Sequence, residues 1–210
     1  MITLYDYWRS SAAYRLRIAL GLLNLPYTAI PVDLLKGEHR QTANLARNPQ
    51  GLVPTLEVDG QTLTQSLAIL EYLDETRGAH FLPKTPVARA RTRALAYAVA
   101  MEIHPVCNLS VARHAVDASN GAITIEGWMQ HFIRRGLTAL ETMLAHPATG
   151  RFCHGDQITI ADICLVPQVY NAHRWGVDVT SLSQINRIIG NLSDIPAIAA
   201  AHPDRHQPKG

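Results

Sequence analysis

Up to about residue 83 the chain alternates short apolar stretches with turn residues, and beyond it long helical periodicities take over. Ile2-Thr3-Leu4 reads as a short strand, with Tyr5 to Arg9 leading out of it. Leu16, Ala19, Leu20 and Leu23 then recur at i, i+3, i+4 and i+7, one face of a helix that ends near Asn24 and Pro26. Tyr27 to Val32 is rich in strand formers, and Pro31 restricts it to an edge or to the strand's own end. Thr55-Leu56-Glu57-Val58, Asp59-Gly60 and Gln61-Thr62-Leu63 spell a two-residue hairpin, because both central positions of that turn need positive φ. Leu67, Ile69, Leu70 and Leu73 follow at helical spacing, with Ser66 as the expected N-cap. The order is βαβ and then ββα, an α/β layer of about 80 residues.

Leu82-Pro83-Lys84-Thr85-Pro86 reads as a linker, with Pro86 suited to the first turn of the next helix. Val87 to about Ile103 is a long helix disturbed by Pro105, and Ile125 to Leu144 is a second. Thr159-Ile160-Ala161-Asp162 opens a third through a capping box in which Asp replaces the usual Glu or Gln. A last helix starts near Asp194-Ile195-Pro196. The expectation is therefore two domains, an α/β unit over 1–82 and an all-helical unit over 87–210.

Composition narrows the class. Of 210 residues, 47% are hydrophobic and 17% charged, which excludes a disordered chain. A net charge of +2 is too balanced for a protein that tracks nucleic-acid phosphates. No apolar run approaches the ~18 residues of a membrane span. Arg9, Arg15 and Arg17 occupy the stretch where a signal peptide would be apolar. The three cysteines, Cys107, Cys153 and Cys164, form neither a disulfide framework nor a zinc knuckle. A cytoplasmic protein without nucleic-acid or membrane partners is expected.

Candidate chemistry concentrates in the first unit. Arg9-Ser10-Ser11-Ala12-Ala13-Tyr14-Arg15 leaves a strand and opens a helix, whose first N–H groups lack internal partners. A hydroxyl there either caps the helix or donates to an anion such as a thiolate. Serines and alanines stand where a redox turn would carry C-x-x-C, so this turn has no dithiol of its own. Val53-Pro54 lies immediately before a strand, where a cis bond would expose the Val53 backbone to a peptide-like ligand, against the alternative of an ordinary turn. Gln65-Ser66 offers donors for a carboxylate or simply a helix cap. His104, His114, His131, His146, His154 and His173 never form H-x-x-x-H or H-E-x-x-H, so no metal site is expected. Nucleotide-binding and hydrolase-elbow motifs are absent.

Together these segments resemble the cytosolic glutathione transferases of the zeta class, which includes maleylacetoacetate and maleylpyruvate isomerases. The carriers are Arg9-Ser10-Ser11 with Arg15-Leu16-Arg17, Asn48-Pro49-Gln50-Gly51-Leu52-Val53-Pro54, Gln65-Ser66-Leu67-Ala68-Ile69, Ile103-His104-Pro105-Val106-Cys107-Asn108-Leu109, and Thr159-Ile160-Ala161-Asp162 running to Leu165-Val166-Pro167-Gln168. The resemblance spans nearly the whole chain. It implies a thioredoxin-like glutathione-binding domain, an all-α domain that supplies much of the second-substrate pocket, and a homodimer. By motif, Ser10 and Ser11 sit at the glutathione sulfur, Val53 pairs with the cysteinyl backbone beside a cis-Pro54, and Gln65 and Ser66 hold the γ-glutamyl carboxylate. His39 and Gln50 are candidates for the glycyl end, and His104 and Asn108 for contacts from the helical domain. Arg9 and Arg174 match arginines that face the diacid.

The implied activity is glutathione-dependent cis–trans isomerisation of a maleyl diacid in aromatic catabolism. The rivals are a transferase that conjugates or dehalogenates small electrophiles and a non-enzymatic binding protein. Two departures from the pattern stand out. Ala12 replaces the cysteine that often follows the two serines, and Leu109 and Ser110 stand where related maleylpyruvate isomerases carry arginines. The second departure leans the reading toward maleylacetoacetate.

Overall fold

The computed structural model describes residues 1–208. It divides into two compact units, Met1–Phe81 together with the segment that begins at Asp194, and Leu82–Ser193.

The first unit is built on a four-stranded sheet of order β2-β1-β3-β4, with β1 at Thr3–Asp6, β2 at Thr28–Pro31, β3 at Thr55–Val58 and β4 at Gln61–Thr64. β1 runs parallel to β2, with Leu4 opposite Ala29, and antiparallel to β3, with Leu4 opposite Leu56. Parallel pairing requires a crossover, which α1 (Ser11–Leu22) supplies, and a short helix, α2 (Thr42–Leu45), lies between β2 and β3. β2 is exposed at every position, as Pro31 on an edge strand requires. The β3–β4 turn has φ of 53° at Asp59 and 73° at Gly60, the conformation that the Asp-Gly pair predicts. Leu4, Leu16, Leu20 and Leu56 are fully buried, together with Ile69, Leu70 and Leu73 of α3 (Ser66–Arg77). Each such side chain contributes about 1.5–3 kcal/mol by leaving water. This is the thioredoxin-like arrangement.

Two expectations need correction here. Ser66 is not the N-cap of α3: the cap is Gln65, at φ 67° with no capping bond, and Ser66 is the first helical residue. The segment from Asp194 on, expected in the helical domain, clusters with the first unit instead. The cause is packing on α1. A short helix, α9 (Pro196–Ala200), meets Gly21, where an added Cβ would already lie 3.4 Å from the Ala197 Cβ. Arg17, fully buried, donates from Nε to the Ala201 carbonyl at 3.1 Å.

The second unit is all-helical, with α4 at Pro86–Tyr97, α5 at Leu109–Ala118, α6 at Ile125–Leu144, α7 at Ile160–Arg174 and α8 at Ser183–Ser193. The expected long helix over 87–103 changes character at Ala98, and Ala98–Ile103 is π-helical. Pro105 explains the change, since its ring disfavours the α-geometry that would place it over Met101, and the His104 N–H instead reaches the Val99 carbonyl at 2.9 Å. Gly136 of α6 lies against this segment, where a Cβ would overlap the Ile103 side chain. α5 and α8 were not expected, although Ile185, Ile188 and Leu192 of α8 are fully buried at helical spacing.

α7 is the core of this unit, buried along most of its length. The capping box is present: Asp162 Oδ2 accepts from the Thr159 N–H and hydroxyl, both at 2.8 Å, while Oδ1 accepts from the Cys153 N–H at 2.8 Å. Asp162→Asn places an amide donor against one of these buried donors. We expect a loss of about 2–3 kcal/mol in urea unfolding, with no change in the unfolding slope. An unchanged midpoint would remove Asp162 from the account of why this helix starts where it does.

Candidate active site

Ser10 is the N-cap of α1, and its Oγ accepts the Ala13 N–H at 3.2 Å. The capping reading of this serine is therefore realised. It does not compete with the chemical one, because a hydroxyl that accepts through its oxygen keeps its own proton to donate. Ser11 is the first helical residue, and the helix N-terminus adds its positive potential to the same spot.

Two tyrosines stand near the strand that feeds this turn. Tyr5 is buried, and its hydroxyl donates to Glu57 Oε1 at 3.0 Å. Burial first, and then that carboxylate, hold its pKa above the usual value, so Tyr5 is committed elsewhere. Tyr7 instead accepts from Arg9 Nη2 at 3.1 Å, and the Arg9 guanidinium lies 4.7 Å from the Trp8 ring centroid. Arg9 Nε is shielded from water and has no hydrogen-bond partner among the described residues. Stacking and one hydrogen bond thus hold Arg9 beside Ser10 with donor capacity left over.

The loop before β3 is pinned by Asn48, which is 2% exposed. Its Oδ1 accepts the Gln50 N–H at 3.1 Å and its Nδ2 donates to the Leu52 carbonyl at 3.0 Å. Gly51, at φ 62°, passes so close to His39 that an added Cβ would sit 3.3 Å from the His39 carbonyl oxygen. Any side chain here meets both strain and contact. Val53-Pro54 is cis, as expected. The Val53 N–H and C=O have no partner among the described residues, which leaves them open to an extended ligand. Burial first, and then Arg40, push the His39 pKa down, so its ring is neutral at pH 7.

Gln65 Nε2 donates to Gln50 Oε1 at 2.7 Å, which ties this loop to the start of α3. At φ 67° and ψ 107°, Gln65 holds a backbone conformation that non-glycine residues rarely adopt. Beneath it, Ser66 Oγ accepts from Arg15 Nη1 at 3.0 Å in a buried contact. The first unit thus brings Gln50, Gln65 and Ser66 into one chain of contacts and sets His39 against Gly51.

The residues singled out in the second unit lie in local settings of their own. Asn108 caps α5, accepting the Ser110 N–H at 3.0 Å and the Ser110 hydroxyl at 2.9 Å. His104 is half-buried, directly after the π-helical segment. Arg174 is exposed at the end of α7 and lies 4.9 Å from the Trp175 ring centroid, while Gln130 Nε2 fixes the Trp175 carbonyl at 2.9 Å. All three cysteines belong to this unit and are buried, and burial pushes the Cys107 thiol up to about 11. Burial pushes the Cys153 thiol up as well, so neither of these two is a nucleophile at neutral pH.

Sequence reasoning missed the parts played by Arg15, Asn44 and Asn48. Asn44 Nδ2 donates to the His39 carbonyl at 2.9 Å and so steadies the turn that carries His39. For Arg15 a signal existed, since two arginines on an otherwise apolar helix must both find partners when that helix is buried.

Two family models match the chain. The glutathione S-transferase N-terminal domain matches residues 1–75 and the corresponding C-terminal domain matches 124–201. A maleylacetoacetate isomerase of Rhizobium meliloti (strain 1021) is 59% identical over 207 residues, covering 98% of this chain and 97% of that protein. Among solved structures, a holo maleylpyruvate isomerase described as a bacterial zeta-class glutathione S-transferase superposes with a TM-score of 0.93 at 38% identity, covering 99% of this chain and 100% of that one. A maleylacetoacetate isomerase from Methylobacterium extorquens AM1, with malonate and GSH bound, gives 0.92 at 40% identity, covering 98% of each chain. Sequence, domain order and fold agree along nearly the full length, and this chain belongs to the glutathione S-transferase family, in its zeta class of maleylacetoacetate isomerase type.

Proposed function

We propose that the protein is a glutathione-dependent isomerase that converts a maleyl diacid to its fumaryl isomer. The observation that carries this reading is the α1 N-terminus. It presents a serine hydroxyl with a free proton beside a stacked arginine, while every thiol of the chain is buried in the other unit. The reacting thiol has to be brought in.

The first unit fits glutathione. Val53 offers an unpaired N–H and C=O to its cysteinyl backbone, Gln65 and Ser66 offer donors to its γ-glutamyl carboxylate, and His39 and Gln50 flank the remaining end. Bound there, it supplies a thiolate that adds reversibly to the cis double bond, permits rotation and leaves. Ser10 lowers the cost of the thiolate by donating to it, and the helix terminus adds to the effect. Each pKa unit of lowering is about 1.4 kcal/mol, well within what those two groups supply. Arg9 and Arg174 pair with the diacid's carboxylates and stabilise the negative charge that develops on it during addition. The family likeness assigns His104 and Asn108 to contacts with the ligand from the helical unit.

We extend the reading to a cytoplasmic homodimer in aromatic catabolism, supported by the family likeness and by three buried cysteines that form no disulfide among the described residues. Leu109 and Ser110, which stand where related maleylpyruvate isomerases can carry arginines, lean the reading toward maleylacetoacetate.

Supplying the two maleyl substrates in parallel with glutathione tests this, and maleylacetoacetate is expected to give the higher kcat/KM. In the same assay Arg174→Lys raises KM or lowers kcat several-fold, since lysine cannot form the bidentate contact, while glutathione affinity stays within about twofold. Unaltered kinetics toward both substrates would leave the diacid without this anchor.

A further inference from the structure

Arg15 has no part in the scheme above, yet its setting is unusual. It is 2% exposed, it lies one helical turn after Ser11 on α1, and its Nη1 meets Ser66 Oγ at 3.0 Å, with Ser66 itself 5% exposed. A guanidinium has donors only. Ser66 must therefore accept in this contact, so its own proton points away from Arg15 and is left to donate. The serine is oriented before any ligand arrives. Its hydroxyl is also polarised by a buried cation, at the first residue of α3, where the helix N-terminus already favours an anion.

We propose that Arg15 is a positioning residue for glutathione recognition: through Ser66 it aims and strengthens the hydrogen bond to the γ-glutamyl α-carboxylate. This rests on the reading of Ser66 as the holder of that carboxylate. Arg15 need not touch the ligand, and it acts on one functional group only.

Calorimetric titration of the full chain with two ligands tests the claim. One is glutathione, and the other is its analogue with the γ-glutamyl α-carboxylate converted to a primary amide. Wild-type protein binds the amide more weakly. Arg15→Met is expected to weaken glutathione binding about tenfold and to leave amide binding within about twofold, so that the discrimination collapses. Ser66→Ala gives the same pattern, and combining the two substitutions adds little to either alone. Arg15→Lys keeps the stem and the charge, and it falls between wild type and Arg15→Met. It carries the test if the methionine variant does not fold.

Equal losses for both ligands in either Arg15 variant, or full additivity with Ser66→Ala, would reduce Arg15 to a packing residue and overturn the proposal. Undiminished glutathione affinity in a folded Arg15→Met protein would overturn it too. A wild-type protein that binds both ligands equally well would instead refute the assignment of Ser66, a separate failure.

Discussion

Ser10→Ala lowers kcat at pH 7 about a hundredfold or more, the scale on which a single donor aimed at a reacting anion acts, while the dissociation constant for glutathione changes little. The substitution removes two things at once, because the hydroxyl both caps α1 at Ala13 and carries a free proton. Losing the cap costs about 1 kcal/mol of stability. Ser10→Asp separates the effects, since its carboxylate still accepts the Ala13 N–H but has no proton to give and repels a thiolate. That variant keeps its stability and loses its turnover. The pH profile supplies the sign. Without its donor the bound thiol moves back toward the free value of about 8.5, so the rate lost at neutral pH returns as pH is raised. Full neutral activity in Ser10→Ala would remove the residue from the chemistry, and a loss confined to Ser11→Ala would move the role one position along.

The largest stability effect is expected at Arg17. Its guanidinium reaches Asp6 Oδ1 and Oδ2 at 2.8 and 2.7 Å, the Trp8 carbonyl at 2.9 Å and the Ala201 carbonyl at 3.1 Å. The side chain is wholly buried and that of Asp6 is 7% exposed. Arg17→Met strands a carboxylate and two carbonyls in the interior. Breaking such a pair from one side costs about 3–5 kcal/mol, which lowers Tm by on the order of 10 °C in a chain of this size. Asp6→Asn in the same background recovers part of the loss, because the stranded charge goes with it. A Tm within a degree or two of wild type would show that these contacts contribute nothing net. Trp8 directly precedes Arg9 and Ser10, so the same arginine that joins the C-terminal segment to α1 also fixes the approach to the site.

Where local chemistry decides a structure, the sequence was readable. Asp59-Gly60 specifies its turn because so few residue pairs accept two positive φ angles in succession. Thr159 and Asp162 specify a helix start because the bonds that satisfy it lie within four residues. The misreadings occur where distant parts of the chain decide. Ser66 looks like a cap, but it is the first helical residue and its oxygen accepts from Arg15, 51 residues away in sequence. The segment after Asp194 has the composition of one more helix in the second unit, and only the contacts of Gly21 and Arg17 show that α1 claims it. A proline marks the trouble near residue 103, but not that the chain would answer with a π-helical turn.

The candidate site divides the same way. Ser10, Val53 and Gln65 stand out by residue type and position. The groups that hold them in place do not, because Asn48, Asn44 and Arg15 look like ordinary polar residues until their partners are seen.

The central claim is that the thiol is borrowed and returned. It is tested by incubating the protein with a large excess of maleylacetoacetate over glutathione, following the cis-to-trans conversion, and titrating free thiol at the end. The account predicts complete conversion to the fumaryl isomer, many turnovers per glutathione, no reaction when glutathione is omitted, and a thiol titre equal to the starting one. Conversion that halts after one equivalent, with the thiol consumed, would mark a conjugating transferase and contradict it.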